Sequence, residues 1–200
     1  MAKVTIARRT KLRPLFFTLK TAALYLCAVI PLLHLCHTRS LAQEFHPTES
    51  QVEAAYLYNF GKFVTWPADR NENSTTFQIC ALGKDPFGGA LDAIVRGENI
   101  GGKKIEVLRL TTVQQGQSCK ILFVTSSEES HLQAILVAAQ TFNWLTVSTM
   151  THFVDRGGVI EFVQEGDRVR FEVNRAAAER DHLILSSDLL KVAVKVIQKR

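Results

Sequence analysis

The sequence predicts an α/β fold: a single three-layer domain with a mainly parallel central sheet flanked by helices and a late antiparallel hairpin. Three observations predict it. Short apolar runs bounded by turn residues recur at 77–82, 103–110, 119–126 and 144–149, as expected for buried strands. Helix-start signals punctuate the intervals between them. Late in the chain, VIEFVQEGDRVRFEVN at 159–174 reads as two strands joined near Glu165-Gly166-Asp167. In its second strand Val169, Phe171 and Val173 alternate with Arg168, Arg170 and Glu172, the pattern of a half-buried strand.

The chain opens on a targeting segment. Lys3, Arg8, Arg9, Lys11, Arg13 and Lys20 precede a mostly apolar run, TAALYLCAVIPLLHLC at 21–36, and Ser40-Leu41-Ala42 then spaces small residues before Gln43. That order is a secretory signal, with cleavage expected after Ala42 and export of the remaining chain. Pro31 and His34 interrupt a run already shorter than the ~20 residues that span a bilayer, which disfavours the alternative of an uncleaved anchor. Residues 43–50 then form a short linker, and 51–200 the domain itself.

Removing 1–42 reverses the charge. The whole chain carries 24 basic and 19 acidic residues, but the leader takes seven of the basic ones, leaving 17 against 19. The basic balance therefore belongs to the leader. No Lys/Arg cluster with interleaved aromatics remains, so nucleic-acid binding is not expected. Two cysteines remain as well, Cys80 and Cys119, and in an exported chain they suggest one disulfide, two buried free thiols being the alternative.

The elements follow in order. AAYLYNFGKFVTWP at 54–67 lies in a helix expected over 51–66 and holds Tyr56, Tyr58, Phe60, Phe63 and Trp66. Its apolar residues cover an arc of roughly 240° on a helical wheel, wider than one packed face requires. Such a helix is packed on two sides, or packed on one and offered to a partner on another. Lys62 is the only cation of that stretch, too few for a helix lying on a membrane surface. Tyr56, Phe60, Lys62, Phe63 and Trp66 are the candidate partner contacts.

A polar gap at 69–76 leads to the strand at 77–82. Asp85 is the expected cap of a following helix with Pro86 at its first position. Ser127 is expected to cap a helix running to about 139, with Glu128 and Glu129 facing its positive end. SSDLLKVAVKVIQK at 186–199 reads as a capped helix with Lys191, Lys195 and Lys199 on one face.

Catalytic and cofactor patterns are missing. Gly83 and Gly88 have the spacing of a phosphate loop, but Gly89-Ala90 stands where Lys-Ser/Thr is required. Gly83, Lys84, Asp85 and Gly88 remain a candidate anion or small-ligand loop at a helix start. His46, His131, His152 and His182 are scattered without metal-ligand spacing, and no GxSxG elbow occurs. No cofactor, metal or catalytic residue is expected, and the protein reads as a non-enzyme.

Taken together, VEAAYLYNFGKFVTWP, FQICALGKDPFGGAL, CKILFVTSSE, LTVSTMTHFVDRGGVIEFVQEGDRVRFEVN and LILSSDLLKVA resemble, in order and spacing, the YfiR-like family of exported bacterial proteins. The resemblance covers essentially all of 50–198. It implies a periplasmic α/β domain without catalytic activity. Such a domain binds the periplasmic sensor domain of an inner-membrane diguanylate cyclase and holds it inactive, linking it to cyclic di-GMP and biofilm control. An outer-membrane lipoprotein that sequesters the repressor is a second implied partner. Apart from the resemblance, a homodimer is a further candidate assembly. Cys80 and Cys119 match family cysteines that pair. Some members carry a second pair near the turn that here reads DRGGVIEF, where this chain has no cysteine. A small-molecule sensor or carrier with a cleft near Gly83–Gly89 is the alternative function.

Overall fold

The computed structural model describes residues 46–68 and 74–198. The expected leader, its expected cleavage site and Lys199 lie outside them. The chain runs through helix α1 (Glu49–Phe63), strands β1 (Val64–Thr65) and β2 (Thr76–Leu82), helix α2 (Gly89–Val95), and strands β3 (Asn99–Ile100), β4 (Lys103–Leu110) and β5 (Cys119–Val124). Helix α3 (Leu132–Phe142), strands β6 (Leu145–Ser148), β7 (Ile160–Glu165) and β8 (Arg168–Asn174), and helix α4 (Arg175–Arg180) follow. Strand β9 (Ile184–Leu185), helix α5 (Ser187–Val192) and strand β10 (Lys195–Ile197) complete it. The main sheet has the order β10-β8-β7-β6-β5-β2-β4-β3, and β1 pairs with β9 in a separate ribbon. Pairing is parallel except at β7–β8 and β3–β4. The expected mainly parallel sheet with a late hairpin is the fold.

Strand alternation sorts the core into two layers. Phe77 and Ile79 of β2 and Ile121 and Phe123 of β5 join Ala54, Leu57 and Phe60 of α1 in one cluster. Cys80, Leu82, Leu122 and Val124 join Leu132, Ile135, Leu136 and Ala139 of α3 and Trp144 in the other. Cys119 should by period share the face of Ile121, yet it belongs to the α3 side. A register shift resolves this: Gln78 pairs with Cys119 but Ile79 with Ile121, so Lys120 is an extra residue and the strand turns over. The bulge brings Cys119 to Cys80, with Cα atoms 6.0 Å apart, and the two form a disulfide.

Local chemistry explains the ends of α1. Thr48 and Gln51 form a capping box, each side chain bonding the other's backbone N–H. The β-branched pair Val64-Thr65 then turns extended and pairs with Leu185 and Ile184.

Three expectations are corrected. Asp85 does not cap a helix: its carboxylate accepts from the N–H of Phe87 in a turn, and α2 starts only at Gly89. Ser127 does not cap α3, because 126–131 is 3-10 helix and α3 begins at Leu132. The segment 186–199 is not one helix. Ser186 caps a short α5 as expected, but Ala193 is extended and β10 then adds to the sheet beside β8. Lys191 and Lys195 therefore do not share a helix face.

Candidate partner-binding surface

Helix α1 meets three neighbours. Toward the sheet, Phe60 is buried and packs edge-on to Phe171 with ring centroids 5.1 Å apart. Tyr56 is half-buried on the same side, 5.8 Å from Phe60 and 5.4 Å from Phe171. Toward α2, Tyr58 donates its hydroxyl proton to Glu98, and Lys62 places Nζ 3.8 Å from the Tyr58 ring centre. Gly61 lets the helix approach β2 and β3, since a Cβ there would lie 2.4 Å from Ile100 Cδ1. The third neighbour is α5, which runs back along α1 from Ser186, whose N–H bonds Phe63 O.

Two-sided packing thus accounts for the wide apolar arc. Of the candidate contacts, Phe60 lies inside the core. Trp66 is tied to the sheet, donating Nε1–H to Lys120 O at 3.2 Å and meeting Phe77 edge-on. Lys62 and Phe63 are exposed, Phe63 at 41%. Tyr56 opens onto a groove of about 940 Å³ that Val52, Val169, Arg168, Arg170 and Val192 also line.

Among the described residues, five large apolar side chains are exposed, and four of them lie at the end of α1 or in the C-terminal segment: Phe63, Ile184, Val192 and Val194. Thr65 pairs with Ile184, and Ser186 bonds Phe63, so Phe63 and Ile184 sit on the same ribbon at the end of α1. Helix α5 leads from there to Val192 at the groove, exposing Ser187, Asp188 and Lys191 on the way. Ile184 falls in no element expected from the sequence and Val192 in the helix expected over 186–199, and neither is among the candidate contacts.

The Gly83–Gly88 loop stands where the strand order reverses, beyond the C-terminal ends of β2 and β5, the usual crevice of an open α/β sheet. Here the protein's own groups fill it. Thr125 donates its N–H and its hydroxyl proton to Leu82 O, and Lys84 N–H bonds Ser127 Oγ. Arg109 bonds Asp85, both oxygens of Asp92, and Gly88 O. Hydrogen bonding to Arg109 holds the Asp92 carboxyl below its ordinary range. Arg109, absent from the sequence reading, is thus the cation of this loop, and Asp85 and Asp92 already use it. Among the described residues no group of three or more His, Cys, Asp or Glu side chains is placed to hold a metal ion, and no helix is long and apolar enough to cross a membrane.

Two solved structures are similar in part. One is a conserved domain protein from Vibrio cholerae O1 biovar El Tor, at 10% identity and TM-score 0.49, covering 74% of this chain and 60% of that one. The other is an ABC domain in complex with L-Trp from Streptococcus pneumoniae, at 13% identity and TM-score 0.49, covering 72% and 60%. The chain therefore spans about 60% of the length of each. No curated protein matches it. The YfiR/HmsC-like family model, in contrast, matches residues 50–194, which take in every described helix and all but the last strand. By that match the chain belongs to the YfiR/HmsC-like family.

Proposed function

We propose that this protein is a non-catalytic periplasmic regulator that binds the periplasmic sensor domain of an inner-membrane diguanylate cyclase and restrains it. Family membership across 50–194 is the observation that carries the reading. The exposed Phe63 and Ile184, with Lys62 beside them, and the groove lined by Tyr56 and Val192 are the proposed contact; Phe60 and Trp66 support it from within. A restraint of this kind works by preferring the inactive conformation of the sensor, and moving it from 1:99 to 99:1 takes about 10⁴-fold preference. An outer-membrane lipoprotein competing for the same surface would release the enzyme.

The test joins cells and purified proteins. Deleting the gene is expected to raise cyclic di-GMP. The double substitution Phe63→Glu/Ile184→Glu should do the same while leaving the melting temperature unchanged, and should weaken binding to the cyclase sensor domain more than tenfold. Unchanged cyclic di-GMP after deletion would overturn the cyclase assignment. Equal binding by the double variant would overturn the surface.

A further inference from the structure

Glu53 is 4% exposed, faces inward from α1, and makes no hydrogen bond or ion pair among the described residues. Most buried carboxylates are paired. Its oxygens are nevertheless within reach of solvent: the fully enclosed polar side-chain atom without a partner is Trp144 Nε1, in the other layer of the core. The opening is a cavity of about 280 Å³ that Glu53 lines together with Glu49, Glu161, Thr149, Thr151 and Gln164. Phe162, Val163 and Val169 form its apolar wall.

The charges have different standing. Glu161 is 6% exposed, and its carboxylate accepts the backbone N–H groups of His152 at 3.0 Å and Val154 at 3.1 Å. It therefore holds the loop after β6 in place while adding its charge to the wall. Glu49 is exposed at the rim, one helical turn from Glu53. Among the described residues Glu53 is the buried carboxylate of this wall without a hydrogen-bond partner. These carboxylates do not converge closely enough to chelate a metal ion. An organic cation can reach them separately, because its donors are spread over several atoms.

We propose that this cavity binds an ammonium or guanidinium group, with Glu53 as its counter-ion, Glu161 and Glu49 supplying further negative potential, and the apolar wall covering the attached alkyl stem. The same chemistry is carried by a free alkylamine and by the Lys or Arg side chain of a protein. The cavity adjoins the groove at Tyr56 and Val192, sharing Glu49, Gln164 and Val169 with it, and the proposal stands whether or not a cyclase is the partner.

Burial, and then the charge of Glu49, push the Glu53 carboxyl up to about 7. The other charged groups around the cavity are Glu49 on α1 and Glu161 on β7, while β8 contributes Val169. Arg168 and Arg170 of β8 line the neighbouring groove. His152 of the loop gives Glu161 its backbone N–H and turns its ring outward to Asp155. With Glu53 as the titrating partner, cation binding strengthens as pH rises. The ionised fraction near a pKa of 7 differs by roughly 30-fold between pH 5.5 and 8.

Agmatine and N-acetyl-arginine amide are suitable probes, titrated by calorimetry into the protein purified as the cell produces it. Expected is binding of at least one probe at pH 8, weaker by tenfold or more at pH 5.5, and lost in Glu53→Gln. Glu128→Gln, in the 3-10 segment after β5 and outside the cavity lining, should leave it intact. Agmatine alone binding marks a free amine as the natural ligand, and the capped arginine binding marks a protein side chain; either supports the site. Binding by neither probe, or binding that Glu53→Gln leaves unchanged, overturns it. Thermal melting of Glu53→Gln at pH 8 confirms that the variant is folded.

Discussion

Cutting the Cys80–Cys119 link should change the unfolded chain more than the folded one. The two strands that it joins are already neighbours in the sheet, so the ladder keeps them together without it. The cysteines are 39 residues apart in sequence. Closing a loop of about 40 residues removes roughly 13 cal/mol/K from the denatured ensemble, or about 4 kcal/mol at 25 °C. A domain of this size has about 5–15 kcal/mol in total, so the loss leaves it folded but marginal. Cys80→Ala/Cys119→Ala should accordingly unfold in urea about 4 kcal/mol sooner. Its denaturant slope should be steeper as well, because the released chain exposes more surface. Both cysteines are buried, so the alanines leave small voids that add to the loss. Unfolding wild type in reductant makes the same cut without the voids. A loss under about 1 kcal/mol in both experiments, with the slope unchanged, would refute the loop-entropy account.

Other outcomes follow from the packing and the charges. Glu53 has a folded pKa of about 7, so between 4.5 and 7 the folded state binds more protons than the unfolded one and stability falls as pH rises. Glu53→Gln should therefore stabilise by up to about 3 kcal/mol at pH 8 and by little at pH 4, and an equal shift at both would contradict the burial argument. Gly83→Ala should cost about 2 kcal/mol or more, because φ there is +91° and the new Cβ would lie 2.3 Å from Thr125 Oγ1. Gly89→Ala, with open space around it in the first turn of α2, should be neutral or gain about 0.5 kcal/mol, and urea midpoints separate the two. Phe60→Ala should cost about 3–5 kcal/mol, whereas Phe63→Ala stays within about 1 kcal/mol; similar losses would mean that α1 is packed otherwise.

The central strands were legible because burial on both faces leaves a dense apolar run with few alternative readings. The hairpin was legible from its alternation and its Gly166 turn. What failed depended on partners distant in sequence. Asp85 has the chemistry of a helix cap, but Arg109, 24 residues on, takes one of its oxygens while the Phe87 N–H takes the other. The segment Lys191–Ile197 satisfies a helical period and a strand period together. Its β-branched Val196 and Ile197 went to the sheet once β8 offered an unpaired edge, while Val192 stayed in α5. The breadth of the aromatic arc did reveal crowding around α1, yet a wheel gives no means of telling a second packed side from a free one. Of the aromatic candidates only Phe63 turned out well exposed, and the exposed Ile184 on its ribbon comes from β9, far along the chain.

The bulge at Lys120 has an optical consequence. By turning Cys119 over, it sets the disulfide into the same layer as Trp144. The Trp144 ring and Cys119 Sγ both lie within 3.5 Å of the point where a Cβ on Gly116 would stand, so sulfur and indole are less than about 7 Å apart. Disulfides quench indole emission at such range. The oxidised protein should then fluoresce weakly from Trp144 and brighten on reduction, before any unfolding, with the half-buried Trp66 as an internal reference. The redox state of the cross-link can thus be followed continuously in an unlabelled sample.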